Sequence, residues 1–100
     1  MSIVIRSVGS ALPAGVVMNA DLPASLETND EWIKARTGIA QRYIAGEGET
    51  TSTLAIDAAR NALENAGITA GDIDGIILAT TTPDLTFPSV ATMVQRALGV

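Results

Sequence analysis

The chain has no cysteine and no histidine among its 100 residues. That absence removes disulfides, thiol nucleophiles, imidazole bases and most zinc sites in one step. Aromatic residues are scarce, with one Trp, one Tyr and one Phe. Charge is thin too, at 17% of residues, and six Lys and Arg against eleven Asp and Glu leave a net charge of −5. A general nucleic-acid surface is therefore not expected, because phosphate-backbone binding needs clustered cations; any anion site has to be local. No apolar run approaches the ~20 residues of a membrane span, and Met1 to Arg6 carries no basic segment followed by a long apolar stretch. No membrane association and a cytoplasmic location are the expectations.

What is present is apolar: 47% of the chain is hydrophobic. So small a domain has much surface to cover, so this composition reads as an interior portion of a larger fold. Ile3 to Val8 is rich in β-branched residues and stops at Gly9, which predicts a strand. Ser10 to Val17, with Pro13 and Gly15, predicts a turn or a short hairpin arm. Asn19 can cap a short helix running towards Glu27, provided Pro23 lies in its first turn.

Thr28 with Glu31 three residues on matches a capping box, and Gly38 supplies a left-handed stop after Thr37, so Asn29 to Thr37 predicts a helix with both ends marked. A polar loop from Ala45 to Thr50 leads into a long helix from Thr51 or Ser52 to Ala66, closed by Gly67. Its faces Leu54, Ala58, Ala62, Ala66 and Ala55, Ala59, Leu63 follow i, i+4 spacing, and the alanines allow a neighbour to come close. Gly75 to Thr80 is an unbroken apolar run between turn residues, which predicts a strand covered on both faces. Pro88 at a first helical position predicts a helix with the stripe Val90, Met93, Val94, Ala97 and Leu98, ended by Gly99. Two strands cannot make a parallel sheet covered on both faces, so the chain reads as an incomplete α/β unit.

The strongest chemical lead is Trp32 and Arg36. Residues four apart share a helix face, so a flat indole and a planar guanidinium stand side by side. The ring can stack on a base while the guanidinium fork binds phosphate. The competing readings are a core anchor for Trp32 and a solvated ion pair with Glu31 for Arg36. Lys34 and Arg42 can add positive potential or serve as plain surface charge. Thr80 to Thr82, beyond a strand's C-terminal end, can meet a ligand or form a turn. Gly46 and Gly48 match no phosphate-loop pattern.

The string Asp30 Glu31 Trp32 Ile33 Lys34 Ala35 Arg36 Thr37 Gly38 Ile39 resembles the N-terminal signature of the β-ketoacyl-acyl-carrier-protein synthase III family. Asn19 Ala20 Asp21 Leu22, the helix from Thr51, the strand Ile76 to Thr80, Phe87 Pro88 Ser89 and Leu98 Gly99 follow in that family's order and spacing. The resemblance implies a thiolase-like layered α/β/α fold, of which residues 1–100 would be an N-terminal part of the first half. It implies an acyltransferase that starts fatty-acid synthesis, condensing acetyl or another short acyl group from coenzyme A with malonyl-acyl-carrier protein and releasing carbon dioxide. Related priming synthases for quinolones or polyketides and hydroxymethylglutaryl-CoA synthase share the fold, and a non-catalytic nucleotide-binding or interaction module is the alternative of another class.

By the resemblance, Trp32 stacks on the adenine of coenzyme A, Thr28 lies by the same nucleotide, and Arg36 faces its phosphates; for Thr28 a pure capping role stands equally open. Phe87 falls where the family projects a side chain across a homodimer axis into the partner's acyl pocket, the alternative being packing within its own subunit. The family's catalytic Cys, His and Asn have no matching positions in this chain. No permanently bound cofactor and no metal are expected; coenzyme A thioester enters as substrate and acyl-carrier protein as partner.

Overall fold

The computed structural model describes residues 2–100. The chain forms two compact units: Pro13–Glu47, and the segment ending at Leu12 together with Gly48–Val100.

The Pro13–Glu47 unit is built on a two-stranded antiparallel sheet. Strand β1, Gly15–Met18, pairs with β2, Gln41–Ile44, in the register Gly15 with Ile44, Val16 with Tyr43, Val17 with Arg42 and Met18 with Gln41. The hairpin arm expected before Val17 is thus one strand, and its partner β2 was not foreseen. Between them, the single helix expected from Asn19 towards Glu27 is replaced by two 3₁₀ turns, Asn19–Asp21 and Ala24–Leu26. Pro23 separates them: it cannot donate to the helical ladder, and its ring restricts the residue before it to extended backbone. Helix α1 is Asp30–Thr37.

In the other unit the helices match expectation more closely. Helix α2 is Thr51–Ala66, capped by Thr50 and stopped by Gly67 at φ 66°. Helix α3 is Val90–Leu98, and its cap is Ser89, so Pro88 stands before the cap rather than in the first turn. The Phe87–Pro88 peptide is cis. Val90 and Val94 on the expected apolar stripe are both buried.

The alanine face of α2 receives the chain segment around Gly9. Ser7 Oγ donates to the Ala62 carbonyl (2.6 Å), Asn65 Nδ2 to the Val8 carbonyl (2.9 Å) and Asn61 Nδ2 to the Ser10 carbonyl (2.8 Å). A Cβ at Gly9 would fall 2.3 Å from the Ala62 nitrogen and 2.4 Å from the Ala58 carbonyl oxygen. Glycine is there because backbone meets backbone.

Neither expected strand, Ile3 to Val8 or Gly75 to Thr80, joins a ladder; among the described residues the sheet is β1 with β2 alone. Strand propensity needs a partner edge to become a strand, and these segments have none among the described residues. Coverage on both faces fails with it, since Ile3, Ile5 and Ile77 are largely or fully exposed. Side chains from both segments, Ile5 and Ile76, instead line an apolar cleft of about 340 Å³ with Ala62, Leu63, Val94 and Leu98. Among the described residues the buried apolar side chains are Ile33, Val90 and Val94, a thin core for so hydrophobic a composition.

Substituting Gly9→Ala in the full-length protein should destabilise it by about 3 kcal/mol, the upper end of overpacking costs, because the obstructing atoms are main chain. Gly71→Ala is the control, since its nearest neighbour would lie at an ordinary 3.5 Å. Chemical denaturation checks both; equal midpoints would refute the close-approach reading.

Candidate functional site

The site builds outward from the two ends of α1. Asn29 in extended backbone caps its start, its Oδ1 accepting from the Trp32 N–H at 2.8 Å. Asparagine is among the best residues for that position, since it satisfies one of the first-turn donors the helix cannot pair. The cap is therefore one residue later than the Thr28 and Glu31 pattern implied. Thr28 is released from capping, and its hydroxyl is buried with no hydrogen-bond partner. At the other end Gly38 takes φ 73° and donates to the Lys34 carbonyl at 2.9 Å, the left-handed stop expected from sequence.

These boundaries set the phase of the helix. Ile33 points inward and is buried, while Trp32 is 53% exposed. Arg36 lies over the indole, its guanidinium carbon 5.1 Å from the ring centroid. At an exposed site such a cation–π contact contributes about 0.5–1 kcal/mol. The alternative, a solvated Arg36 ion pair with a nearby acid such as Glu31, is not formed; the pair on this helix is Lys34 with Asp30 at 3.0 Å, both half exposed. Trp32 is likewise no core anchor. It lines a shallow pocket with Leu26, Glu27, Thr28 and Asn29. Trp32 thus links Thr28 to Arg36, with the buried, unpaired Thr28 hydroxyl in the pocket on one side and the Arg36 cation over its ring.

What holds α1 in place is Asn19. It is 4% exposed, and it is not a helix cap. Its Nδ2 donates to Asp30 Oδ1 (2.9 Å) and to the Ile39 carbonyl (2.7 Å), while its Oδ1 accepts from Arg42 Nη2 (2.7 Å). Its own N–H donates to the Ala40 carbonyl at 3.0 Å. One amide thus joins the first residue of α1, the chain just past its end and strand β2. Arg42 is accordingly no free surface charge, and its Nη1 is buried without a partner. Neither role was legible beforehand, although an Arg between β-formers in Gln41 to Ile44 hints that it faces something specific.

Phe87 belongs to the other unit. It is 84% exposed, and its ring finds little packing within this chain. Thr80 to Thr82 form turn contacts, Thr80 Oγ1 accepting from the Thr82 N–H at 3.1 Å. No cluster of three acidic, His or Cys side chains able to hold a metal occurs among the described residues, and none of their helices is long and apolar enough to cross a membrane.

No family model matches the chain. The β-ketoacyl-[acyl-carrier-protein] synthase III of Rhodobacter capsulatus is 62% identical over 96 residues, and that of Novosphingobium aromaticivorans is 64% identical over 96 residues. The chain is related to β-ketoacyl-acyl-carrier-protein synthase III. Each match covers 96% of this chain but 30% of the relative, so the chain spans under a third of these synthases' length. Among solved structures, the synthase III of Thermus thermophilus superposes with a TM-score of 0.85 at 43% identity, covering 96% of this chain and 30% of that one. The 3-oxoacyl-[acyl-carrier-protein] synthase III of Aquifex aeolicus gives 0.84 at 44% identity, covering 95% and 30%. A priming β-ketosynthase of the R1128 polyketide pathway gives 0.85 at 33% identity, covering 95% of this chain and 28% of that one. The fold is the thiolase-like fold of synthase III, in part.

The Asp30 carboxyl is held below the ordinary carboxylate range, first by its bond from Lys34 and then by the Asn19 amide, with partial burial opposing both. A depressed folded pKa means that the interaction stabilises the fold above the unfolded value, about 4, and is lost as pH falls through the folded one. Carboxyl-carbon NMR on the full-length protein should find the Asp30 midpoint below that of an unperturbed aspartate. Lys34→Met should raise it; an unmoved midpoint would remove Lys34 as the cause.

Proposed function

We propose that the protein is a cytoplasmic, homodimeric β-ketoacyl-acyl-carrier-protein synthase III that starts fatty-acid synthesis. It condenses acetyl-CoA, or another short acyl-CoA, with malonyl-acyl-carrier protein, and yields a 3-oxoacyl-acyl-carrier protein, carbon dioxide and free coenzyme A. The observation that carries the reading is the pairing of Trp32 and Arg36 on one face of α1, with Thr28 lining a pocket beside the indole just before the helix cap, in a chain 62% identical over 96 residues to a relative of that name. Coenzyme A ends in an adenine nucleotide with phosphates, and this group of side chains suits each part. The indole offers a stacking face to adenine, the guanidinium a charge-assisted donor to phosphate, and the unsatisfied Thr28 hydroxyl a hydrogen bond to the nucleotide.

The guanidinium already takes one face of the indole, so an incoming base stacks on the opposite face or displaces it. Either route leaves Arg36 beside the nucleotide. The chemistry falls to the rest of the enzyme: the acyl-accepting thiolate and the donors for developing oxyanions belong to Cys, His and Asn outside these 100 residues. No permanently bound cofactor enters this scheme. The share of this chain is to hold the far end of the thioester, and Phe87 is assigned to the partner's acyl pocket, where a large ring favours short primers.

A polyketide-priming role is the second reading, favoured by the fit to the R1128 priming ketosynthase. An acyl-CoA panel on the full-length enzyme separates the two: acylation by acetyl-CoA supports the fatty-acid starter, and acylation by longer acyl-CoAs alone supports the other. For the nucleotide site, Trp32→Ala in the full-length enzyme should weaken coenzyme A binding about tenfold, within the 1–3 kcal/mol usual for losing an aromatic stacking partner. Arg36→Ala should weaken it as well and flatten its salt dependence. Calorimetric titration measures both, and unchanged affinity in Trp32→Ala would remove the indole from the site.

A further inference from the structure

Phe87 is so exposed that its ring has little packing of its own to fix it. Its place is set by the backbone on either side. Downstream, Ser89 caps α3, its Oγ accepting from the Thr92 N–H at 3.3 Å. Upstream, Asp84 grips the start of α2: Oδ1 accepts from the Ser52 N–H at 2.8 Å and Oδ2 from the Ser52 hydroxyl at 2.6 Å. Ser52 is buried, and its oxygen also lies 3.1 Å from Thr50 Oγ1. The neighbouring Thr51 hydroxyl donates to the Thr82 carbonyl.

Two things make this clamp strong for its size. The Ser52 N–H is one of the first-turn donors that α2 cannot satisfy internally, and a carboxylate at a helix N-terminus meets the positive end of the helix dipole. Both carboxylate oxygens are used, which fixes orientation as well as distance. The contact ties residues 32 apart in sequence and, with the bond from Thr51 to Thr82, anchors the Thr80 to Pro88 loop to the start of α2; of the two, it is the one nearer Phe87.

We propose that Asp84 is a positioning residue for primer selection: clamped on Ser52, it holds the loop so that the exposed Phe87 ring is presented in one place. The inference rests on the reading of Phe87 as a residue of the acyl pocket. Removing the clamp lets the ring drift and opens the space it restricts, with no change in the ring itself. Discrimination by one or a few methylenes is sensitive to such shifts.

The test uses the full-length enzyme and reads the ratio of kcat/KM for hexanoyl-CoA to that for acetyl-CoA. Asp84→Ala should raise the ratio roughly tenfold, and Ser52→Ala, which leaves the backbone bond, should raise it less. Phe87→Ala is the reference and should raise it at least as much as Asp84→Ala. Hydrogen exchange across residues 80–89 reports the clamp directly and should quicken in Asp84→Ala but not in Phe87→Ala. A ratio that rises in Phe87→Ala and stays put in Asp84→Ala and Ser52→Ala overturns the proposal. Unchanged exchange in Asp84→Ala overturns it at the level of the clamp. No rise in Phe87→Ala sinks the pocket reading, and the proposal with it, while quickened exchange in Asp84→Ala would show that the fault lay in that reading and not in the clamp.

Discussion

The side-chain amide of Asn19 is the contact on which the Pro13–Glu47 unit depends. It has two donors and an acceptor, and all are used: Asp30 and the Ile39 carbonyl receive its protons, and Arg42 donates to its oxygen. These partners mark the beginning of α1, the chain beyond its end, and β2. A buried amide left unpaired would cost about 1–3 kcal/mol, so the arrangement is favoured only when every partner is in place at once. That requirement fixes the rotation of an eight-residue helix too short to be stable alone. With Ile33 turned in, Trp32 and Arg36 are turned out. The orientation of the proposed nucleotide site is a consequence of satisfying one amide.

The remaining unit works by a different rule. Gly9 lets main chain lie directly on α2, and the amide groups of Asn61 and Asn65 replace the sheet ladder that the segment lacks within this chain. The clamp from Asp84 to Ser52 uses the same helix for a second purpose, satisfying its N-terminus from a distant loop. Helix α2 thus organises both the segment before the Pro13–Glu47 unit and the loop that carries Phe87. Large apolar side chains such as Ile3, Ile77 and Phe87 stay exposed on this unit, as its sparse core requires.

What could be read in advance was local. The ends of α1 and α2 are marked by Gly38 and Gly67, whose left-handed backbone few other residues adopt, and the structure has both. The spacing of Trp32 and Arg36 on one face is likewise helix geometry, and their stacking follows from it. Properties that depend on distant partners were not legible. Ile3 to Val8 and Gly75 to Thr80 have strand composition, yet a strand is defined by its neighbour. Asn19 looks like a cap in sequence because its partners, Asp30, Ile39 and Arg42, lie 11, 20 and 23 residues away. Thr28 and Asn29 are both good caps, and only the fold decides between them. With Asn29 as the cap, the buried Thr28 hydroxyl is the unsatisfied group beside Trp32.

The central claim is that Asn19 acts on ligand binding through the position of α1, without touching the ligand. A double-mutant cycle on coenzyme A affinity in the full-length enzyme tests it, using Asn19→Ala, Trp32→Ala and the pair. Asn19→Ala alone should weaken binding roughly tenfold, and in the Trp32→Ala background its effect should shrink to what Arg36 still contributes, the coupling expected of residues that act through one network. Independent, additive losses, or undiminished affinity in a folded Asn19→Ala variant, would contradict it.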